Sequence, residues 1–282
     1  MSGNFFIVAT PIGNLEDISA RAKKTLEQVD IILAEDTRRT RNLLSYLGIH
    51  KQVESFHQHN QSQKIPKILE WLTAGKNLAL VTDAGTPAVS DPGANLIRDC
   101  LLKGIKVIPI PGPSAITTAL SASGFPSDRF LFLGFVPANA SERKTLLQKF
   151  KDFPETMVLF EAPHRIQKTL KDLLEIFGNR KACLCREMTK VYEEIKFSDL
   201  SYILEYLSNQ TPRGEITLII AGSEKQSTEQ ISGQEINLDE MIKNKLNQGK
   251  SIRDIVSELS QNTDFPKNLI YKKILQLKKA QM

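Results

Sequence analysis

The sequence predicts an α/β protein of two lobes followed by a small helical domain, and three observations carry that prediction. Short apolar, β-branched runs alternate with amphipathic stretches as far as about residue 222, the pattern of strands joined by crossover helices in largely parallel sheets. The alternation is interrupted at Ser121–Arg129 (SASGFPSDR), where Gly, Pro and polar residues mark a lobe boundary. Beyond a Ser/Gln/Glu-rich break at Ser223–Asn237 the apolar spacing is purely helical. The expected organisation is a first lobe over 1–120, a second over 121–224, a linker over 225–237 and a basic helical domain over 238–282.

Taken in order, the strand-like runs are Phe5–Thr10, Ile31–Glu35, Leu78–Thr82, Val107–Ile110, Phe130–Phe135, Met157–Glu161, Ala182–Glu187 and Glu215–Ala221. Between them, Ser19–Val29, Thr40–Tyr46, Ile65–Leu72, Ala94–Leu102, Ser114–Ser121 and Ile166–Ile176 carry helical spacing. The last part offers Leu238–Asn247, Ile252–Leu259 and Lys267–Lys279 as short helices.

At 282 residues, 41% hydrophobic and 24% charged, the chain can bury a sizeable core. The start, MSGNFFIVATPIGNLED, reads as a first strand and not as a signal peptide. Its apolar runs are strand-sized, too short for a membrane span, so a cytoplasmic protein is expected. Three cysteines, Cys100, Cys183 and Cys185, read as reduced and buried. The histidines are not spaced to join them in a zinc site, and no metal is expected. Net charge is +5, and Leu238–Met282 holds nine basic residues against five acidic ones. The excess therefore sits in the tail and favours a polyanionic partner.

Several strands end in loops rich in Gly and Pro: TPIGN at Thr10–Asn14, DAGTPAVSDPG at Asp83–Gly93, and PGPS at Pro111–Ser114. Ligands of open α/β sheets bind outside the carboxyl ends of the strands. Glycine permits close backbone approach there, and proline fixes the loop. Any one such loop fits a plain turn, but several at one sheet edge point to a bound small molecule. The phosphate-loop pattern, a GxGxxG after the first strand and a GxSxG elbow are all missing. Nucleotide hydrolysis, a dinucleotide fold and an α/β-hydrolase lose their usual support.

ATPIGNLEDIS, AEDTRRTRNLL, VTDAGTPAVSDPG, PGPSAITTALSASG, FLGFVP, FEAPHR, REMTKVYEE and GEITLII occur in this order across Phe5–Gly222. Together they resemble the tetrapyrrole-methylase family, in its branch that modifies ribosomal RNA. The resemblance implies two α/β lobes with S-adenosylmethionine in the cleft between them, and a homodimer. It implies 2′-O-methylation of a cytidine ribose in the decoding region of 16S rRNA of the small ribosomal subunit. The cofactor contacts it implies are Pro11 of TPIGN, then Asp83, Ala84, Gly85, Thr86, Val89 and Ser90, with Ser114 and Ala115 after PGPS. From the second lobe it implies Phe160 and Ala162, with Gly214, Glu215, Ile216 and Thr217. Ser114 also fits a helix N-cap, and a helix N-terminus offers free N–H donors to a carboxylate.

Methylation of a ribose hydroxyl requires alignment of a weak nucleophile and acceptance of its proton. Glu35 and Asp36 at the end of the second strand, His164 of FEAPHR and Glu187 of REMTK are the candidates. Asp36 fits a helix cap equally well, and His164 could simply begin a helix. Arg38, Arg39, Arg41, Arg165, Arg186 and Lys190 are expected phosphate contacts, because a planar guanidinium matches phosphate oxygens. In the tail, Ile252, Ile255, Val256 and Leu259 form one apolar stripe, and Leu269, Ile270, Ile274 and Leu277 another. The pair resembles a helix-turn-helix, with Lys267, Lys272 and Lys273 as RNA contacts; a packing appendage with solvated lysines is the alternative. Two other activities stay open: a methyltransferase of the same fold acting on a tetrapyrrole or a protein side chain, and a nucleic-acid-binding regulator with a metabolite-sensing body.

Overall fold

The computed structural model describes residues 2–208, 210, 212–223, 241–246, 248, 250–262 and 267–279. They form two compact units, Met1–Gly222 and Ser223–Met282.

The first sheet is made by β1 (Phe5–Val8), β2 (Ile31–Ala34), β3 (Gln52–Ser55), β4 (Leu78–Val81) and β5 (Val107–Ile110), in the order β3-β2-β4-β1-β5. All its pairings are parallel. β2 and β4 are buried along their whole length, as strands covered on both faces must be. The helices α1 (Ala20–Gln28), α2 (Thr37–Leu47), α3 (Gln61–Thr73) and α4 (Ala94–Leu102) supply the crossovers. Alternate residues of these strands feed opposite cores: Phe5, Leu33 and Leu80 pack with Leu72 and Leu96, while Ile32, Ala79 and Val81 pack with Leu26 and Leu44. This parallel sheet puts TPIGN, DAGTPAVSDPG and PGPS at one edge, after β1, β4 and β5.

The second sheet contains β6 (Phe130–Phe135), β7 (Thr156–Glu161), β8 (Lys181–Arg186), β9 (Glu194–Asp199) and β10 (Ile216–Ile220), in the order β6-β7-β10-β8-β9. Here the expectation of a largely parallel sheet is corrected. Only β6 and β7 pair in parallel; β10 lies antiparallel between β7 and β8, and β8 pairs antiparallel with β9. The crossover through α7 (Ile166–Phe177) does set β7 and β8 in the same direction, yet the last strand slides between them. Periodicity fixes the crossover but says nothing about which strand fills the gap. Two further helices, α6 (Ala140–Gln148) and α8 (Leu200–Ser208), complete this part.

The boundary expected between residues 120 and 121 falls inside α5 (Ala115–Ser123). This helix follows the first sheet, but its Ala119 and Leu120 pack with Val158, Cys183, Cys185 and Ile219 of the second. One helix thus welds the two sheets. The cysteines are free and buried, with the Sγ atoms of Cys183 and Cys185 3.9 Å apart on one strand face.

In the second unit, residues 241–246 are helical, followed by α9 (Ile252–Asn262) and α10 (Lys267–Lys279). Ile242, Ile255, Leu259, Ile270 and Ile274 form its core. Leu269, expected in the apolar stripe, is instead exposed; Ile270 takes the inward position beside Ile274. The linker expected over 225–237 lies outside the described residues. Among the described residues, no helix is long and apolar enough to cross a membrane, and no cluster could hold a metal ion.

Candidate active site

The loops at the edge of the first sheet are tied to one another by their backbones. Thr10 and Gly85 exchange both N–H···O bonds at 2.9 and 3.0 Å. The Thr10 hydroxyl donates to the Thr82 carbonyl at 3.0 Å, and the Thr86 hydroxyl donates to the Pro113 carbonyl at 3.3 Å. Ala88 and Ser90 hold positive φ angles of 66° and 62°. Left-handed backbone at non-glycine residues is costly and clusters at functional sites.

Under these loops lies a cavity of about 410 Å³, within the range of small-molecule sites. Of the residues expected at the cofactor, all except Pro11 line it: Asp83–Thr86, Val89, Ser90, Ser114 and Ala115 from the first-sheet side, and Phe160, Ala162 and Gly214–Thr217 from the second. Ser114 precedes α5 but its side chain makes no capping hydrogen bond, so the first-turn N–H groups of α5 are not satisfied by it. Apolar cover comes from Val89, Ile116, Phe135, Phe160 and Ile216. Phe135 sits 5.5 Å from Phe160 between ring centres. Its strand bulges at Gly134, where φ is +64° and an added Cβ would stand 3.2 Å from the Ser90 Oγ.

Charge in this cavity is one-sided. Glu35, Asp83, Asp91, Glu161 and Glu215 line it, and no lysine or arginine among the described residues does. The Thr82 hydroxyl donates to Glu35 Oε2 at 3.0 Å. Burial pushes the Asp91 carboxyl up to about 6; hydrogen bonding with Thr82 works against this, and the charges of Glu35 and Asp83 add to it. Asp91, Thr82 and Phe135 were not singled out from the sequence. Asp91 stands one residue past Ser90 in the DAGTPAVSDPG block, and that adjacency was the available signal.

Of the four expected proton acceptors, Glu35 lines the cavity. Asp36 caps α2, accepting from the Arg38 N–H at 2.8 Å, and the Arg38 guanidinium holds its carboxyl down to about 2. His164 is exposed and is not among the lining residues. Glu187 accepts from Lys190 Nζ at 2.8 Å and from the Glu215 N–H at 2.9 Å. Burial opposes ionisation of Glu187, but these donors outweigh it and hold the carboxyl below its ordinary value. Residue 214 must be glycine here: its φ is +86° and a Cβ would meet the Glu187 side chain.

A second cavity of about 290 Å³ adjoins the first and shares Ile12, Thr82, Asp83, Ala84 and Glu215 with it. Pro11 lines this one, with Arg39 and Lys190; of the TPIGN turn, Ile12 reaches the first cavity and Pro11 does not. Asn14 N–H donates to Thr189 Oγ1 at 3.0 Å, joining TPIGN to REMTK across the two sheets. Arg38 and Arg41 are exposed on α2. Arg165 and Arg186 are turned inward, to Glu161 at 2.6 Å and to Glu194 at 2.8 Å. In the second unit, Lys267 and Lys272 are exposed and Lys273 is half-buried.

Two α/β sheets enclose a ligand-sized cavity at their joined loops, and residues 4–203 match the family described as Tetrapyrrole (Corrin/Porphyrin) Methylases. The chain belongs to this family, and with it to the S-adenosylmethionine-dependent methyltransferases. Among curated relatives it is similar to ribosomal RNA small subunit methyltransferase I of Thermotoga maritima, at 47% identity over 79% of this chain and 100% of the relative. The proteins of the same name from Pasteurella multocida and Bacillus subtilis are 43% and 38% identical, covering 96% and 95% of this chain and 96% and 93% of theirs. Among solved structures, uroporphyrin-III C-methyltransferase of Thermus thermophilus in complex with S-adenosyl homocysteine aligns with a TM-score of 0.56 at 20% identity, over 78% of this chain and 97% of that one. That likeness establishes the shared fold.

Proposed function

We propose that this chain transfers a methyl group from S-adenosylmethionine to the 2′-hydroxyl of a cytidine ribose in the decoding region of 16S rRNA, within the small ribosomal subunit. The carrying observation is the acid-lined cavity at the joined loops, set in a chain 37–47% identical to proteins named ribosomal RNA small subunit methyltransferase I. The cavity fits the cofactor in volume and in chemistry. When bound, S-adenosylmethionine supplies an electrophilic methyl group on a positively charged sulfur. The N-terminal turn of α5 at Ser114–Ala115 offers N–H donors to a carboxylate, and the lining carboxylates complement cationic centres. Val89, Phe135, Phe160 and Ile216 cover an apolar ring and exclude water.

The residues of the chain then have separate tasks. Asp83–Ser90 shape the cofactor side through their backbone. Glu35, fixed by the Thr82 hydroxyl, takes the proton of the attacking ribose hydroxyl. RNA is held by Arg38, Arg39, Arg41 and Lys190, with Lys267, Lys272 and Lys273 adding contacts from the second unit; Arg165 and Arg186 act as struts within the protein. The enzyme works in the cytoplasm as a homodimer. Exposed Val191, Tyr192, Ile195 and Phe197 on and beside the edge strand β9 support a partner on that face.

The test is methylation of small subunits from cells lacking the enzyme, with labelled methyl located by nuclease digestion. Label on a cytidine 2′-oxygen is expected. Label on a base, on ribosomal protein or only on an added tetrapyrrole overturns the reading. Glu35→Gln should lower kcat by roughly 10²–10⁴, far more than it weakens cofactor binding, and undiminished turnover would remove Glu35 from the proton path.

A further inference from the structure

We infer that the second cavity is the seat of the target nucleotide, with Arg39 and Lys190 as its phosphate contacts. The inference rests on the ribosomal RNA reading above and says where that substrate enters. The two cavities share Ile12, Thr82, Asp83, Ala84 and Glu215 in their linings, so groups filling them lie side by side. Their electrostatics are complementary to different ligands. Among the described residues, the first holds carboxylates as its only charged groups and suits a cation, whereas the second adds Arg39 and Lys190 to the shared Asp83 and Glu215 and so can hold an anion.

Each of these cations already holds an anion. Arg39 Nη1 lies 3.6 Å from Asp83 Oδ2, and Lys190 Nζ lies 2.8 Å from Glu187 Oε1 and 3.1 Å from Glu215 Oε2. Those carboxylate oxygens mark positions from which a phosphate oxygen can be bound. Arg39 is 63% exposed, so it can turn from Asp83 to a ligand at small cost. Gly13 lines this cavity without a side chain, and an added Cβ would stand 2.6 Å from the side chains of Thr189 and Lys190. A nucleotide swung out of a single-stranded stretch presents a ribose, a phosphate and a base edge, and Asn42 on the rim offers an amide to that edge.

The experiment uses the full chain and unmethylated small subunits, with cofactor binding followed by calorimetry. Arg39→Ala should raise KM for subunits about tenfold with kcat within about threefold. It should also lower the slope of log KM against log salt by about one contact. Asn42→Trp, a surface change on α2, should fill the cavity, leave cofactor affinity intact and abolish methylation. If the wild type methylates subunits and both variants match it, the seat is elsewhere. If either variant loses cofactor affinity in proportion to activity, the second cavity is part of the cofactor site and the assignment fails. A wild type that binds cofactor but leaves subunits unlabelled overturns the ribosomal reading and this seat together.

Discussion

Glu161 at the end of β7 and Arg165 just before α7 form an ion pair of 2.6 Å across the connecting turn, with the Glu161 side chain fully buried. The same carboxylate accepts from the Ala162 N–H at 2.7 Å and the Thr169 hydroxyl at 2.6 Å. Arg165 reaches on to the Val136 carbonyl at 2.7 Å. The pair therefore fixes the turn that carries Ala162 into the cavity. Arg165→Ala should leave a buried uncompensated carboxylate and cost about 3–5 kcal/mol of stability, read from denaturant unfolding. The salt slope of RNA binding should stay unchanged; a reduced slope would return Arg165 to the phosphate contacts.

Asp91 gives the cavity a pH dependence. Its carboxyl ionises near 3.8 ordinarily and near 6 in the fold, so the folded state holds this proton more tightly. Between those values, rising pH erodes stability at this site; above about 6 the carboxylate is charged and favours a cationic ligand. S-adenosylmethionine affinity should rise from pH 5 to pH 7.5 in the wild type and rise less in Asp91→Asn. Parallel profiles by calorimetry would show that Asp91 does not face the ligand.

Gly134→Ala tests the bulge. The substitution demands a left-handed alanine, at about 1–2 kcal/mol, and brings a methyl to 3.2 Å from Ser90 Oγ. A lower melting temperature and several-fold weaker cofactor binding should appear together. Weaker stability with unaltered binding would mean that Ser90 shifts without disturbing the cavity.

Removing residues 238–282 should weaken subunit binding and lower its salt dependence while cofactor affinity holds. The Thermotoga relative is matched over its full length by 79% of this chain, so a protein of that name exists without a stretch of this size. Loss of cofactor binding on truncation would make the second unit structural.

The sequence was legible where burial or loop chemistry forces a residue type. β2 and β4, covered on both faces, announce themselves as apolar runs, and the Gly/Pro loops at strand ends located the first-sheet side of the cavity; the second-sheet side, Phe160, Ala162 and Gly214–Thr217, came from the family resemblance. It was silent at edges. β3 (QVES) is a half-buried edge strand without apolar alternation, and β9 alternates with Ile195 and Phe197 pointing outward. α6 has little amphipathic contrast and α8 is apolar on most sides, so neither shows a clean helical stripe. Asp36 shows the limit at the site: a carboxylate ending a strand reads as acid or as cap, and only the 2.8 Å bond to the Arg38 N–H reveals the cap.

The one-sided charge of the first cavity bears on how the enzyme resets. Under the proposed placement, methyl transfer turns a sulfonium into a neutral thioether, so the lining carboxylates lose an attractive partner, although Asp83, Glu161 and Glu215 keep Arg39, Arg165 and Lys190. Exchange for a fresh, cationic molecule would then be favoured by the reaction's own change of charge.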